Sequence, residues 1–433
     1  MRNNSRPSKM KMNKNINKVV LKNGLQVIIE KDASCPLVSV AVFVRVGAVD
    51  ESVEVSGLSH FVEHLLFKGS KNFPQDSLSR NVENSGGYIN AATSKEYTCY
   101  YINTQKSACT DTIKMLADIT QNPNFPADEI EKERGVVLEE IARHFDDPHS
   151  VLFDMFTQTL YKKSAYKNSI IGTAKVIKNV SREKIIEYFK THYIPQKMTV
   201  AVVGDINPQK IKELLNQTFG KISKGVIPKS PQITEPKTTP KTLTKKARVE
   251  HAYMLSGFLG PCVQSPDIYT ADVAMYILGG SRASRLYSRL RDGLRLVYSI
   301  SGSFMSVKGT GSAYISSAFN PKNKTKVIKA INAEVENIIK NGITPEELSR
   351  AKLSIKTDWN FLHETFSERA YNAGYWNVIG GSSVLTNYLS GIERISVGDV
   401  KAFFKKYAGT PKGAAKISSA VLLPDNRGKS GNF

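Results

Sequence analysis

The chain has 433 residues, of which 41% are hydrophobic and 23% charged, with a formal net charge of +21. That length suffices for two sizeable cores, and the composition is that of a globular protein. No run approaches the eighteen or more apolar residues of a membrane helix, so a helical membrane protein is excluded.

The first segment, MRNNSRPSKMKMNKNINKVV, is basic and has no apolar core behind it, so it does not read as a secretory signal. Residues 1–18 read as a basic, disordered tail, and Met10 or Met12 is an alternative start. A transit peptide is the competing reading, because Glu30 is the first acidic residue. The expected compartment is therefore the cytoplasm of a bacterial-type cell, or an organellar matrix should the tail act as a transit peptide. The four cysteines, Cys35, Cys99, Cys109 and Cys262, form no CxxC pair, which fits a reducing compartment and offers no cysteine metal site.

Alternating apolar residues from Val19 to Val44 predict strands around the turn at Lys22-Asn23-Gly24. After Gly57, LSHFVEHLLFKG sets Leu58, Phe61, Val62, Leu65 and Leu66 on one helical face. Gly86-Gly87 precedes a strand pair in YINAATSKEYTCYYINT. Helices follow over Ile113–Ile119 and from about Ala127 through Arg143, then KIIEYFKTHY, and MTVAVVGDI is a buried strand closing the first unit over residues 19–222. Residues 223–246 hold four prolines and many Lys and Thr, so they read as an exposed linker. Residues 247–433 resume the sequence of strands and helices. The expected fold is α+β: two similar units, each a mostly antiparallel sheet packed with helices.

His60 and His64 are four apart on one helix, so both imidazoles reach one ion. Glu63 approaches the same ion from the side. H-x-x-E-H inverts the H-E-x-x-H zinc-hydrolase pattern, and the apolar remainder of the helix implies that these polar residues are buried and need partners. A third ligand must come from elsewhere. Glu133 and Glu140, seven apart on the helix ADEIEKERGVVLEEIARHF, share a face, and spacing alone leaves both open. Glu129, Glu131 and Glu139 fit a solvated face. His144 and His149 flank Asp146-Asp147-Pro148, which reads as a helix end and turn, and His192, His251 and His363 lack a second ligand at useful spacing, so all five read as ordinary structural histidines.

With these motifs in order, the chain resembles the M16 (pitrilysin-like) zinc metallopeptidases, specifically the mitochondrial processing peptidases and their bacterial relatives. LKNGLQVII resembles the family's opening strand, GGYINAATSKEYTCYY its substrate-docking strand, and GGSRASRLYSRLRDGLRLVYSI its second signature. The resemblance implies two domains forming a half-clamshell and one Zn²⁺ per chain held by His60, His64 and Glu140, with Glu133 supporting the ligands from outside. It implies Glu63 as general base, Arg291 and Tyr298 of the C-terminal domain as oxyanion or substrate-backbone contacts, and Asn90 and Ala91 as substrate-binding positions. It further implies short or unfolded peptide substrates, and a homodimer or a heterodimer with a related M16 subunit. One departure is local: Ser164-Ala165-Tyr166 stands where relatives often carry a His-Pro segment before a Gly, here Gly172.

Two other functions compete. A catalytically silent M16-like partner or scaffold would typically have lost HxxEH residues, which this chain keeps. A nucleic-acid binder is suggested by charge alone, +7 over residues 1–31, −1 over 32–222 and +15 over 223–433, without any recognisable module. The charge reads as scattered lysines on solvated faces, and no nucleic-acid partner is expected.

Overall fold

The computed structural model describes residues 16–75, 77–228, 235–236 and 239–425. In the first half, β1 (Ile16–Val20), β2 (Gln26–Lys31) and β3 (Leu37–Val44) precede α1 (Leu58–Leu65) and α2 (Ser77–Asn84). The hairpin of β4 (Tyr88–Thr93) and β5 (Thr98–Gln105) leads to α3 (Cys109–Ile119), α4 (Ala127–Asp146) and α5 (Pro148–Leu160). Then come α6 (Ala174–Asn179), α7 (Arg182–His192), β6 (Met198–Gly204) and α8 (Pro208–Gln217).

The second half opens with β7 (Thr242–Ala247), β8 (Ala252–Leu259) and α9 (Ile268–Gly279), followed by a π-helical turn over Tyr287–Gly293. The hairpin of β9 (Val297–Met305) and β10 (Ser312–Phe319) is followed by α10 (Lys324–Asn341) and α11 (Pro345–Phe361). α12 (Phe366–Val378), α13 (Ser382–Arg394), α14 (Val397–Phe403) and β11 (Ser418–Pro424) complete it.

The two sheets repeat one topology. The first runs β1-β2-β6-β3-β5-β4 and the second β7-β11-β8-β10-β9. The β2–β6 and β7–β11 pairs are parallel, and every later neighbour pair is antiparallel in both. The expected two similar α+β units are therefore present, with β1 added to the first. Central β6 (MTVAVVG) is buried throughout, as a strand covered on both faces must be, whereas β4 alternates exposed and half-buried residues at the sheet edge.

Each sheet borrows a helix from the other half. α12 lies on β3 and β6 of the first sheet, and α5 lies on β8 and β11 of the second. Gly374 allows the first contact: a Cβ there would come 2.2 Å from the Phe43 ring. Arg369 on α12 adds ion pairs to Glu30 at 2.5 Å and Asp32 at 2.7 Å beside β2. A unit's own helices cover one face of its sheet, and the exchanged helix covers the other.

Two boundaries differ from the sequence reading. β1 begins at Ile16, inside the expected tail, and β7 occupies 242–246 of the expected linker. The strand TLTKKA is poor in apolar residues because it is an edge strand, pairing only with β11. Residues 1–15, 229–234, 237 and 238 lie outside the described residues. Among the described residues, no helix is long and apolar enough to cross a membrane.

Candidate metal centre

The helix α1 is fixed from three directions. Leu58, Phe61, Val62 and Leu65 are fully buried in the core of the first unit, which leaves His60, Glu63 and His64 on the remaining face. Its N-cap, Gly57, has φ +97° and packs against Gly172, where a Cβ would sit 2.3 Å from the Gly57 Cα. Buried Glu51 closes the helix end: its carboxylate accepts from Gly57 N at 2.6 Å and Ser59 N at 2.7 Å. It thus satisfies two of the donors that a helix start leaves open and puts negative charge at the positive end of the dipole. Burial nevertheless pushes the Glu51 pKa up to about 7. Ser59 Oγ also meets Tyr188 OH at 2.7 Å, tying α1 to α7.

The helix α4 brings a carboxylate to this face. Glu140 Oε2 lies 3.6 Å from His60 Nε2 and 3.5 Å from His64 Nε2. Ligands ~2.1 Å from a tetrahedral zinc stand ~3.4 Å apart, so this spacing suits such an ion. His60, His64 and Glu140 form the one His/Cys/Asp/Glu group of metal-binding geometry among the described residues. The donor chemistry agrees: burial, then the neighbouring His64, lowers the His60 pKa to about 4, which keeps that imidazole neutral and its lone pair available. His64 Nδ1 donates to Glu133 Oε2 at 3.0 Å, which directs its Nε2 toward Glu140. Lys68 holds the other Glu133 oxygen at 2.7 Å. His60 Nδ1 is buried with no partner among the described residues. The residues fit zinc.

Glu63 stands beside the cluster and accepts from Thr93 Oγ1 at 2.8 Å. Burial raises its pKa, and the Thr93 hydrogen bond works against that rise. Glu63 and His60 line a cleft of about 400 Å³ whose walls include Ala91 and Thr93 of β4, Phe153, Asp154 and Ile171. Lys95 and Asp154, which the sequence reading passed over, also line it, as does His144, which that reading took for a structural histidine. His144 and Asp154 pair at 2.7 Å. The signal for His144 was its position one turn beyond Glu140 on α4.

The remaining sequence candidates divide. Asn90 and Ala91 lie on the β4 edge, and Asn90 Oδ1 accepts from Ala91 N at 2.8 Å. Arg291 and Tyr298 come together, with Arg291 Nε donating to the Tyr298 carbonyl at 3.1 Å, but neither lines the cleft of its own chain. Tyr298 is 49% exposed and packs its ring on His251. At the departure before Gly172, buried Tyr166 hydrogen-bonds Glu96 and accepts from Gly309 N at 2.9 Å, joining the two halves. His149, His192, His251 and His363 join no metal group among the described residues.

The first unit of this doubled α+β fold carries an HxxEH helix with a facing carboxylate, the residue pattern described for inverted zinc-hydrolase motifs. Residues 26–174 match the model of "Insulinase (Peptidase family M16)" and residues 179–355 that of "Peptidase M16 inactive domain". The chain is 30% identical to an uncharacterized zinc protease of Mycobacterium leprae, over 78% of this chain and 77% of that protein. With an uncharacterized zinc protease of Bacillus subtilis it shares 26% identity over 94% of this chain and all of that one. The crystal structure of a protease from Helicobacter pylori superposes with a TM-score of 0.88 at 28% identity, covering 94% of this chain and 99% of that one. The chain belongs to the M16 peptidase family.

Proposed function

We propose that the chain is a zinc-dependent endopeptidase of short or unfolded peptides, with Glu63 as general base. The observation that carries this reading is the meeting of His60, His64 and Glu140 within 3.6 Å contacts beside Glu63, at one end of an open strand edge.

When bound, zinc supplies Lewis acidity and a water whose pKa is brought toward neutrality. Glu63, aimed by Thr93, takes the proton of the attacking water and gives it to the leaving amine. The outer edge of β4 lets an extended peptide add as a further strand, held through main-chain hydrogen bonds that do not depend on particular side chains. Asn90 and Ala91 are the contact positions on that edge. The acidic run of residues 128–147, with eight acidic against three basic side chains, favours cationic peptides.

In this reading Arg291 and Tyr298 act as donors to the oxyanion or the substrate backbone, and each cleft receives them from a second chain. Their exposure, away from their own cleft, supports an M16-type homodimer or a heterodimer with a related subunit. All four cysteines are free, which supports a reducing compartment such as the bacterial cytoplasm. The name "inactive domain" attaches to the half without the metal cluster, so it does not favour a silent-subunit reading of the whole chain.

Mass-spectrometric profiling of cleavage in a proteome-derived peptide library tests the reading. Internal cuts in short peptides, abolished by a zinc chelator, are expected. A zinc-loaded chain that makes no cuts above an enzyme-free control would sink it.

A further inference from the structure

One wall of the metal cleft is irregular chain. Ser169, Ile170 and Ile171 line it, half-buried, in a segment over residues 162–172 whose only helical turn is Ala165–Lys167. A wall without strand or helix bonds of its own opens readily unless other elements hold it. Both flanks of this one are held. At one, Gly172 packs on Gly57, the N-cap of the helix that carries His60 and His64. At the other, Glu235 accepts from Lys162 N and Lys163 N at 3.0 Å, and Tyr166 is tied to Glu96 and Gly309.

The stretch between is held by one side chain. Lys95, in the turn joining β4 to β5, donates from Nζ to the carbonyl of Asn168, the residue before the wall. No other side-chain hydrogen bond reaches residues 168–171 among the described residues. Lys95 is also the one lysine or arginine among the described residues lining the cleft, and it is only 7% exposed. Burying an ammonium is costly, and burial lowers its pKa. Asp154, across the same cleft, and then Glu51, at the start of α1, favour the charged form and offset that cost.

We infer that Lys95 is a positioning residue of the cleft: by holding the Asn168 carbonyl it fixes the wall at residues 169–171 against which a peptide is aligned to the metal. The inference rests on the peptidase reading for what the wall meets, and part of its test is independent of cleavage. Such a wall touches the peptide in the ground state and the transition state alike. Releasing it should therefore raise KM and leave kcat nearly unchanged.

Lys95→Met removes the donor and keeps the length of the side chain. In zinc-loaded chain it should raise KM for a peptide substrate about tenfold with kcat within about twofold, within the cost of a ~1 Å misplacement. The amides of residues 169–171 should exchange with deuterium about tenfold faster, while those of α1 and the zinc content match wild type. Lys95→Arg restores a charged donor and should return KM to within about threefold of wild type. Lys95→Gln, the second variant should Lys95→Met not fold, should shift exchange and KM in the same direction. Unchanged exchange and KM, with or without a loss of stability in urea, overturns the assignment. Lys95→Met is also read by fluorescent-peptide binding in the zinc-loaded Glu63→Gln chain. Weaker binding and faster exchange there, beside no cleavage by wild type, defeat the peptidase reading and leave the role of Lys95 standing.

Discussion

His64 Nδ1 lies 3.0 Å from Glu133 Oε2, so one imidazole is held by a buried carboxylate on one side while its other nitrogen faces Glu140. Removing that support without removing a ligand should weaken the metal site. Glu133→Gln is expected to lower zinc affinity by about 10- to 100-fold, and Glu140→Ala to lower it further. Competition with a chelating dye measures both. Wild-type affinity in Glu133→Gln would deny it the orienting role.

Glu51 acts through the backbone of α1. Glu51→Ala leaves the N–H groups of Gly57 and Ser59 buried without their carboxylate. The expected cost is about 1–3 kcal/mol in urea unfolding, together with weaker zinc binding, since His60 sits in the first turn of the freed helix. Full stability and full zinc affinity in the variant would remove Glu51 from the site's scaffold.

Acid sensitivity should have one identifiable source in His192. It is buried and accepts from Lys197 Nζ at 2.9 Å, and burial, then the Lys197 charge, lowers its pKa to about 3. A histidine lowered in the folded state binds its proton more readily when unfolded. Its contribution is therefore complete above the unfolded value near 6.5 and is lost as pH falls through the window from 6.5 toward 3. His192→Gln should flatten the stability profile there by up to about 1.4 kcal/mol per pH unit relative to wild type. Parallel profiles for the two chains would contradict this.

Two inactive variants should restore one another if a cleft uses the second chain's Arg291 and Tyr298. Glu63→Gln mixed with the Arg291→Ala, Tyr298→Phe double variant, after dissociation and reassociation, should recover about a quarter of wild-type turnover from statistical mixing of a two-fold dimer. A mixture no more active than its parts would reject the shared site.

Much of the site was legible because helical spacing is strict. His60, Glu63 and His64 follow from four-residue periodicity, and Glu133 and Glu140 from their common face on α4. Choosing between those two carboxylates required the family resemblance, since periodicity does not say which turn of α4 meets α1. Glu51, Lys68 and Thr93 were not legible. Glu51 contacts backbone amides, which any sequence carries, and Thr93 reaches Glu63 only because β4 lies beside α1. The exchange of α5 and α12 was hidden for a similar reason: an amphipathic pattern shows that a helix has an apolar face but not which sheet it covers. β7 was missed because an edge strand such as TLTKKA needs few apolar residues.

The central claim is most directly tested by zinc content and peptide cleavage measured together in wild-type chain and Glu63→Gln. The account predicts one zinc per chain in both, with cleavage lowered by about two to four orders of magnitude in the variant. Stoichiometric zinc in both with equal cleavage, or with no Glu63-dependent cleavage at all, would contradict it.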